Sequence, residues 1–326
     1  MSRIADAVTA RQTPPPNNDF DNGGLVFAPA TKDKAKARLA LQGVSGSGKS
    51  WTGLAISAAL AAAAGTRLAV IDTERGAASK YVGINGLAFD VLQMSRYDPN
   101  DLIKALAAAA SAGYGAAMVD SLSHFWKGAD GTLEQVDRAK SRYGGNSFGG
   151  WKEGTPLQNS MIDALLSFPG HLVVTMRSHT EWVIQENDRG KKEPVAVGTR
   201  ADQRKGVEYE FDVVGAMDIN NTLRILKSRC PSMHQQVYDR PDGAMLAKQL
   251  LEWLNDGTEG VDATKLVERA LAADATYEGM LALYSEADSH GLLATPMLDP
   301  ADVKATSLGE YVRARGSALR AAGGDQ

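Results

Sequence analysis

Five short apolar runs, at 38–41, 67–72, 89–94, 116–120 and 171–176, punctuate the chain up to residue 176. Between them apolar residues return every three or four positions, the period of a helix with one buried face. Runs such as Leu68-Ala69-Val70-Ile71 have no polar alternation, which suits strands covered on both faces in a parallel sheet. The first helix is predicted over 51–64. A second starts with Asp98 as cap and Pro99 in its first turn, buries Leu102, Ile103 and Leu106, and ends at Gly113. Thr155-Pro156-Leu157-Gln158 reads as a capping box with proline at the first helical position; Leu157, Met161, Ile162 and Leu165 follow on one face, and Pro169-Gly170 stops the helix. The alternation predicts an α/β fold: a mainly parallel twisted sheet with helices on both faces.

Beyond residue 176 the pattern changes. Residues 182–186 and 194–197 flank 187–191 as the arms of a hairpin. Residues 211–217 and 223–226 read as antiparallel strands at one sheet edge, and 245–254 as a helix. Residues 255–260 read as a linker. The remainder reads as two or three amphipathic helices, with stripes at Leu266, Ala270 and Leu271, at Met280, Leu283, Tyr284 and Ala287, and at Leu308, Tyr311, Val312 and Leu319. At the other end, residues 1–24 are expected to be disordered, with Thr13-Pro14-Pro15-Pro16 the clearest case, and 25–27 to form a short edge strand. The expected division is therefore a disordered 1–24, an α/β domain over 25–255 and a helical appendage over 256–326.

Between the first strand and the first helix lies Gly43-Val44-Ser45-Gly46-Ser47-Gly48-Lys49-Ser50. It fits the phosphate-binding loop G-x-x-x-x-G-K-[ST], and strand–loop–helix is the context that the motif requires. Glycines let successive backbone N–H groups turn toward an anion, and the helix adds its positive end. The pattern predicts Lys49 on the β- and γ-phosphates of ATP and the Ser50 hydroxyl on Mg²⁺. Gly43, Ser45, Gly46, Ser47, Gly48 and Trp51 are the other residues of this expected nucleotide site. Met118-Val119-Asp120, about 70 residues on, has the form of a Walker B strand, whose Asp120 would hold the Mg²⁺ shell opposite Ser50. Asp72 and Glu74 end another predicted strand, on the rim where parallel sheets bind ligands. A carboxylate there either orients the attacking water or is a solvated turn residue.

Composition narrows the rest. The 326 residues suffice for one large domain with an appendage, and 44% hydrophobic content is ordinary for a globular chain. A formal charge of −4 argues against an overall basic nucleic-acid binder, so any such contact must come from local patches. The single Cys230 excludes an internal disulfide and suits a reducing cytoplasm. No apolar signal core or membrane span is expected, and five scattered histidines with one cysteine make no zinc site.

Taken together, the phosphate loop, Val70-Ile71-Asp72-Thr73-Glu74, Val119-Asp120-Ser121, Val173-Val174-Thr175-Met176-Arg177-Ser178 and residues 204–212 resemble RecA-type ATPases, most closely the RecA-like P-loop ATPases of bacteriophages, over about 25–254. The resemblance implies that Glu74 is the catalytic carboxylate and that Tyr81, seven residues beyond it, stacks on adenine, where ordinary packing is the alternative. The pattern departs at Met176-Arg177, where that family has Asn-Gln. Arg177 could contact the γ-phosphate directly, or form an ion pair at the sheet edge. In the family two loops hold single-stranded DNA. The corresponding windows here carry Lys140, Arg142, Tyr143, Phe148, Trp151 and Lys152, made mobile by Gly144-Gly145 and Gly149-Gly150, and then Arg189, Lys191, Lys192, Arg200, Arg204 and Lys205. Lys227 and Arg229, on an expected edge strand, sit where the family reaches the ATP of a neighbouring subunit. The implied protein is a cytoplasmic ATPase, in the host cell if phage-encoded. It would form a filament or ring and act on single-stranded DNA in recombination, annealing or replication. A nucleotide-dependent switch or assembly ATPase with a protein partner is the alternative, and a P-loop kinase a lesser one.

Overall fold

A computed structural model describes residues 32, 34–186 and 192–323, with the backbone alone across 180–198. The segments 1–24 and 25–27 and the turn at 187–191 lie outside the described residues. The elements are β1 (Arg38–Gly43), α1 (Lys49–Ala63), β2 (Leu68–Asp72), β3 (Asp90–Gln93), α2 (Pro99–Ser111), β4 (Ala116–Asp120), α3 (His124–Lys127), α4 (Thr132–Lys140), α5 (Ser147–Leu166), β5 (His171–Glu186), β6 (Lys192–Ala201), β7 (Val213–Met217), β8 (Thr222–Ser228), β9 (Val237–Asp239), α6 (Gly243–Leu254), α7 (Ala263–Leu271), α8 (Tyr277–Ser289), β10 (Pro296–Asp299), β11 (Lys304–Ser307) and α9 (Leu308–Gly323).

Nine strands form one sheet in the order β3-β2-β4-β5-β1-β7-β8-β9, with β6 paired to β5. The first six run parallel, and β8, β9 and β6 pair antiparallel to their neighbours. Every residue of β2 and of β4 is buried, the physical reason that their sequences show no alternation. One apolar layer joins α1 and α6 to the sheet through Leu54, Ile56, Leu60, Leu246 and Leu250. The opposite layer joins α2 and α5 through Leu102, Leu106, Met161 and Leu165. This is a P-loop NTPase fold. Its register sets Gly43 beside Arg177 and Met217, and Asp72 beside Asp120, so the strands' carboxyl ends converge on one rim.

Three expectations are corrected. The helix expected to start at Thr155-Pro156 begins at Ser147, capped by Asn146, whose side chain accepts from the Phe148 N–H at 2.9 Å. Pro156 is an interior residue on the exposed face, where water can serve the carbonyl it leaves unpaired. Gly149-Gly150, expected to loosen a loop, instead lies in this helix. A Cβ at Gly150 would come within 2.4 Å of the Val136 carbonyl oxygen, and one at Gly154 within 2.2 Å of Val136 Cγ2. The glycines give α5 a flat face on α4, and that packing outweighs their low helix propensity. Finally, β8 is not an edge. β9, too short to show a period, covers its first half, and β7 also lies parallel to β1.

Residues 261–319 hold a separate apolar cluster built on Leu266, Met280, Leu283, Leu308 and Val312. The β10–β11 hairpin, which the sequence pattern did not announce, touches the end of α2, where the Leu298 N–H donates to Ser111 Oγ at 3.3 Å. The segment 255–260 is pinned rather than loose: Lys34 N–H donates to the Thr258 carbonyl at 2.8 Å, and Lys34 pairs with Glu259. Among the described residues, no helix is long and apolar enough to cross a membrane.

Candidate nucleotide site

The loop after β1 closes tightly because its neighbours leave no room for side chains. A Cβ at Gly43 would lie 2.5 Å from Ser47 Oγ and 2.7 Å from the Met217 carbonyl oxygen. Gly46 and Gly48 have φ of 79° and 84°, the left-handed region that favours glycine. Ser45 is exposed at the tip, Ser47 is buried, and Ser50 is half-buried in the first turn of α1. Lys49 is buried, with Nζ 3.4 Å from the Val44 carbonyl oxygen. Trp51 and Tyr81 meet at the start of α1, with ring centroids 5.5 Å apart and planes tilted by 52°. The expected adenine-stacking ring is thus also in contact with a tryptophan, and both pack on the core layer beneath α1.

Asp120 ends β4 fully buried. Its Oδ1 accepts from the Thr175 hydroxyl, and its Oδ2 has no hydrogen-bond partner. Burial pushes the carboxyl up from its ordinary value, against the opposing hydrogen bonds of Thr175 and Ser50. A buried carboxylate oxygen without a partner, beside a serine hydroxyl, is the kind of donor set that an oxygen-seeking divalent cation takes. The residues therefore fit Mg²⁺ held with a nucleotide. Asp72, also buried, accepts from the Glu74 N–H at 2.6 Å, which fixes the turn that presents Glu74.

Glu74 and Arg177 meet in a two-pronged ion pair, with Nε to Oε1 at 3.0 Å and Nη2 to Oε2 at 2.7 Å. Arg177 forms this ion pair on a central strand rather than at a sheet edge, and the partner is the expected catalytic carboxylate. Burial pushes the Glu74 carboxyl up, but the hydrogen bonds and charge of Arg177, with His124 and Lys49, hold it below the usual carboxylate range.

Sequence reasoning missed the groups around this pair. The Ser121 N–H donates to Thr73 Oγ1 at 2.6 Å, and the Thr73 hydroxyl lies 3.1 Å from the Ser121 carbonyl and 2.7 Å from His124 Nδ1. One hydroxyl proton cannot serve two acceptors. With that proton on the Ser121 carbonyl, His124 Nδ1 is the donor. His124 stacks on Tyr97, centroids 4.8 Å apart. Burial, then the Arg177 charge, lowers its pKa. Ser123 Oγ accepts from the Arg177 N–H at 2.9 Å. Ser121, Ser123 and His124 follow Asp120 directly and were findable; Thr175 lies in the motif at 173–178, which gave it no role.

The two expected DNA windows meet. Residues 138–152 are helical apart from a turn at Gly144-Gly145. Phe148 is 83% exposed, and Trp151 packs on Trp126 with centroids 5.9 Å apart. These aromatics face Lys127, Arg204 and Lys205 across a groove of about 660 Å³. Lys140 pairs with Asp137, and Arg142 pairs with Glu153 at 2.6 Å, away from that groove; Tyr143 and Lys152 are exposed. Arg189 and Lys191 lie outside the described residues; Lys192 begins β6, with no side chain described. Lys227 and Arg229 turn inward on their own chain. Lys227 Nζ donates to the carbonyls of Tyr209 and, at 2.6 Å, Phe211, and Arg229 Nη1 lies 2.9 Å from Asp212 Oδ1.

The model of an AAA-domain family, AAA_24, matches residues 35–240. The chain belongs to this family. The match runs from just before β1 to just beyond β9, so it takes in every element that carries the nucleotide site, and makes the chain an AAA-type P-loop ATPase. Comparison with curated proteins finds no significant match.

Proposed function

We propose that this AAA-type ATPase is RecA-like, of the kind phages carry, and spends ATP on single-stranded DNA in recombination, annealing or replication. Bound ATP with Mg²⁺ would supply the phosphoanhydride and the charge-neutralising ion. In this reading Lys49 holds the β- and γ-phosphates, and Ser50 and Asp120 hold the cation. Glu74, ionised at neutral pH, accepts a proton from water. Its half-buried pair with Arg177 keeps it oriented.

The observation that carries the DNA part of the reading is the groove. Phe148 and Trp151 offer faces on which bases stack, with the buried Trp126 packed against Trp151, and Lys127, Arg204 and Lys205 supply charge for a phosphate chain. Asp202 lines the same groove, binds Lys127 and His179, and through its N–H donates to the Arg177 carbonyl at 2.7 Å. The groove thus adjoins the residue that grips Glu74. The protein-partner reading draws on the ion pairs that already occupy Lys140, Arg142 and Lys127.

The test is fluorescence anisotropy with labelled single-stranded DNA across a salt series, alongside ATP hydrolysis. Phe148→Ala should weaken binding by about 1–3 kcal/mol, at no cost to the core, since the ring is exposed. Arg204→Ala with Lys205→Ala should flatten the salt dependence. Unchanged affinity in both variants, with hydrolysis indifferent to DNA, would remove DNA from the function.

A further inference from the structure

The turn between β7 and β8 was assigned no role by sequence, yet it lies against the phosphate loop at both of the loop's framing glycines. The carbonyl that ends β7, on Met217, is what a Cβ at Gly43 would strike at 2.7 Å. At the other end, a Cβ at Gly48 would come within 2.8 Å of Asn221 Nδ2 and 3.5 Å of Asn221 Cγ. The carboxamide of Asn221 therefore rests directly on the last glycine of the loop.

The turn is built to hold it there. Asp218 Oδ1 accepts from the N–H groups of Asn220 at 2.8 Å and Thr222 at 3.1 Å. The Asn221 N–H donates to the Asp218 carbonyl at 3.1 Å, and the Asn221 carbonyl accepts from the Arg240 N–H at 3.1 Å. Asn221 itself has φ of 62°, a conformation that asparagine tolerates better than most residues. Its backbone is thus fully engaged. Its carboxamide makes no hydrogen bond with any of the described residues, although it offers two donors and an acceptor. The adjoining Ile219 is 73% exposed.

From this we infer that Asn221 is a further nucleotide-binding residue, which hydrogen bonds the nucleoside end of a nucleoside di- or triphosphate. The loop's inward N–H groups and Lys49 serve the β- and γ-phosphates, and Gly48 stands between those groups and Asn221. The part of the ligand left for a donor on the outer side of Gly48 is the ribose of the nucleoside. Asn221 so adds affinity for the nucleotide without taking part in the chemistry. The inference rests on nucleotide binding by the phosphate loop, and inorganic tripolyphosphate separates the two claims, since it occupies the loop but has no nucleoside.

The experiment measures affinity for ATP, ADP and tripolyphosphate by isothermal titration calorimetry, on the full chain with Mg²⁺. Asn221→Gly keeps the left-handed backbone and removes only the carboxamide. It should weaken ATP and ADP by about tenfold, the worth of a hydrogen bond to a charged or well-placed partner, and leave tripolyphosphate unchanged. Asn221→Asp, nearly the same shape with repelling charge, should weaken ATP by more than Asn221→Gly does. The unliganded unfolding midpoint of Asn221→Gly should stay within about 1 °C of the parent's, less than the roughly 1.5 °C that a change of 1 kcal/mol would cause in a chain of this size. Equal ATP affinity in parent and Asn221→Gly overturns the inference. So does an equal loss for ATP and tripolyphosphate, which would make Asn221 a packing residue of the loop. If the parent binds neither ligand, the nucleotide reading itself falls and takes the inference with it.

Discussion

His171 opens β5 at the end of the sheet opposite the nucleotide site, and it should make the fold acid-sensitive in a defined window. The side chain is 4% exposed, and its Nδ1 accepts a 3.0 Å hydrogen bond from the Ala37 N–H, the residue before β1. Burial, and then the charges of Lys36 and Arg38, lower its pKa to about 4, against roughly 6.5 for an unfolded chain. Above pH 6.5 neither state binds the proton, and the full stability is present. Below pH 6.5 the unfolded chain takes a proton that the folded chain refuses until about pH 4, so stability falls as pH falls. A separation of about 2.5 units at 1.36 kcal/mol each gives a loss on the order of 3 kcal/mol across the window. His171→Asn places an oxygen near the Nδ1 position and removes the titration. Urea unfolding followed by circular dichroism, at several pH values from 7.5 to 4, should show the parent losing about 3 kcal/mol more than the variant. The carboxylates titrate in both chains and cancel in the difference. Parallel pH profiles for the two chains would refute the reasoning.

Two further outcomes follow from the site and its flank. Arg177→Ala should move the acidic limb of the kcat profile to higher pH, because the carboxyl of Glu74 loses the partner that holds it low; an unmoved limb would take Glu74 out of the base role. Lys227→Met should lower stability by about 1–2 kcal/mol in urea unfolding, since it strands the Tyr209 and Phe211 carbonyls that Lys227 now serves, and a cost near zero would show that those contacts contribute nothing.

What was legible in the sequence was what depends on local pattern. β2 and β4 could be read because burial on both faces makes a continuous apolar run, and the phosphate loop because its glycines answer to backbone geometry that tolerates little else. The start of α5 was misread because Gly149, Gly150 and Gly154 signal flexibility locally, whereas the fit of Gly150 and Gly154 onto Val136 is a tertiary fact. The same limit hid Thr175 and Asn221. Each serves the site through a strand-to-strand or turn-to-loop contact between residues 55 apart, for Thr175 and Asp120, or further. Arg177 was expected at a strand end, but β5 runs on to Glu186, and the partner of Arg177 shows only once β2 is seen to end on the rim where the parallel part of β5 does.

The two acidic groups at that rim are pushed in opposite directions, and this divides their roles. Asp120 is raised by burial, with the charge of Glu74 adding to the effect, and its hydrogen bonds come from the neutral hydroxyls of Thr175 and Ser50. A cation bound beside it would oppose that shift and favour the ionised form. Glu74 is lowered because Arg177, His124 and Lys49 together outweigh its burial, so it is ionised before any ligand arrives. Two carboxylates whose environments separate their pKa values in this way are suited to different work: one to hold an ion, the other to take a proton. The identity of residue 177 then matters for a reason that the resemblance to RecA-type proteins did not contain. A glutamine there would carry no charge to lower Glu74. The arginine supplies that charge, and by gripping both carboxylate oxygens it also fixes Glu74 in place. A substitution at 177 therefore changes the protonation of Glu74 and its orientation together.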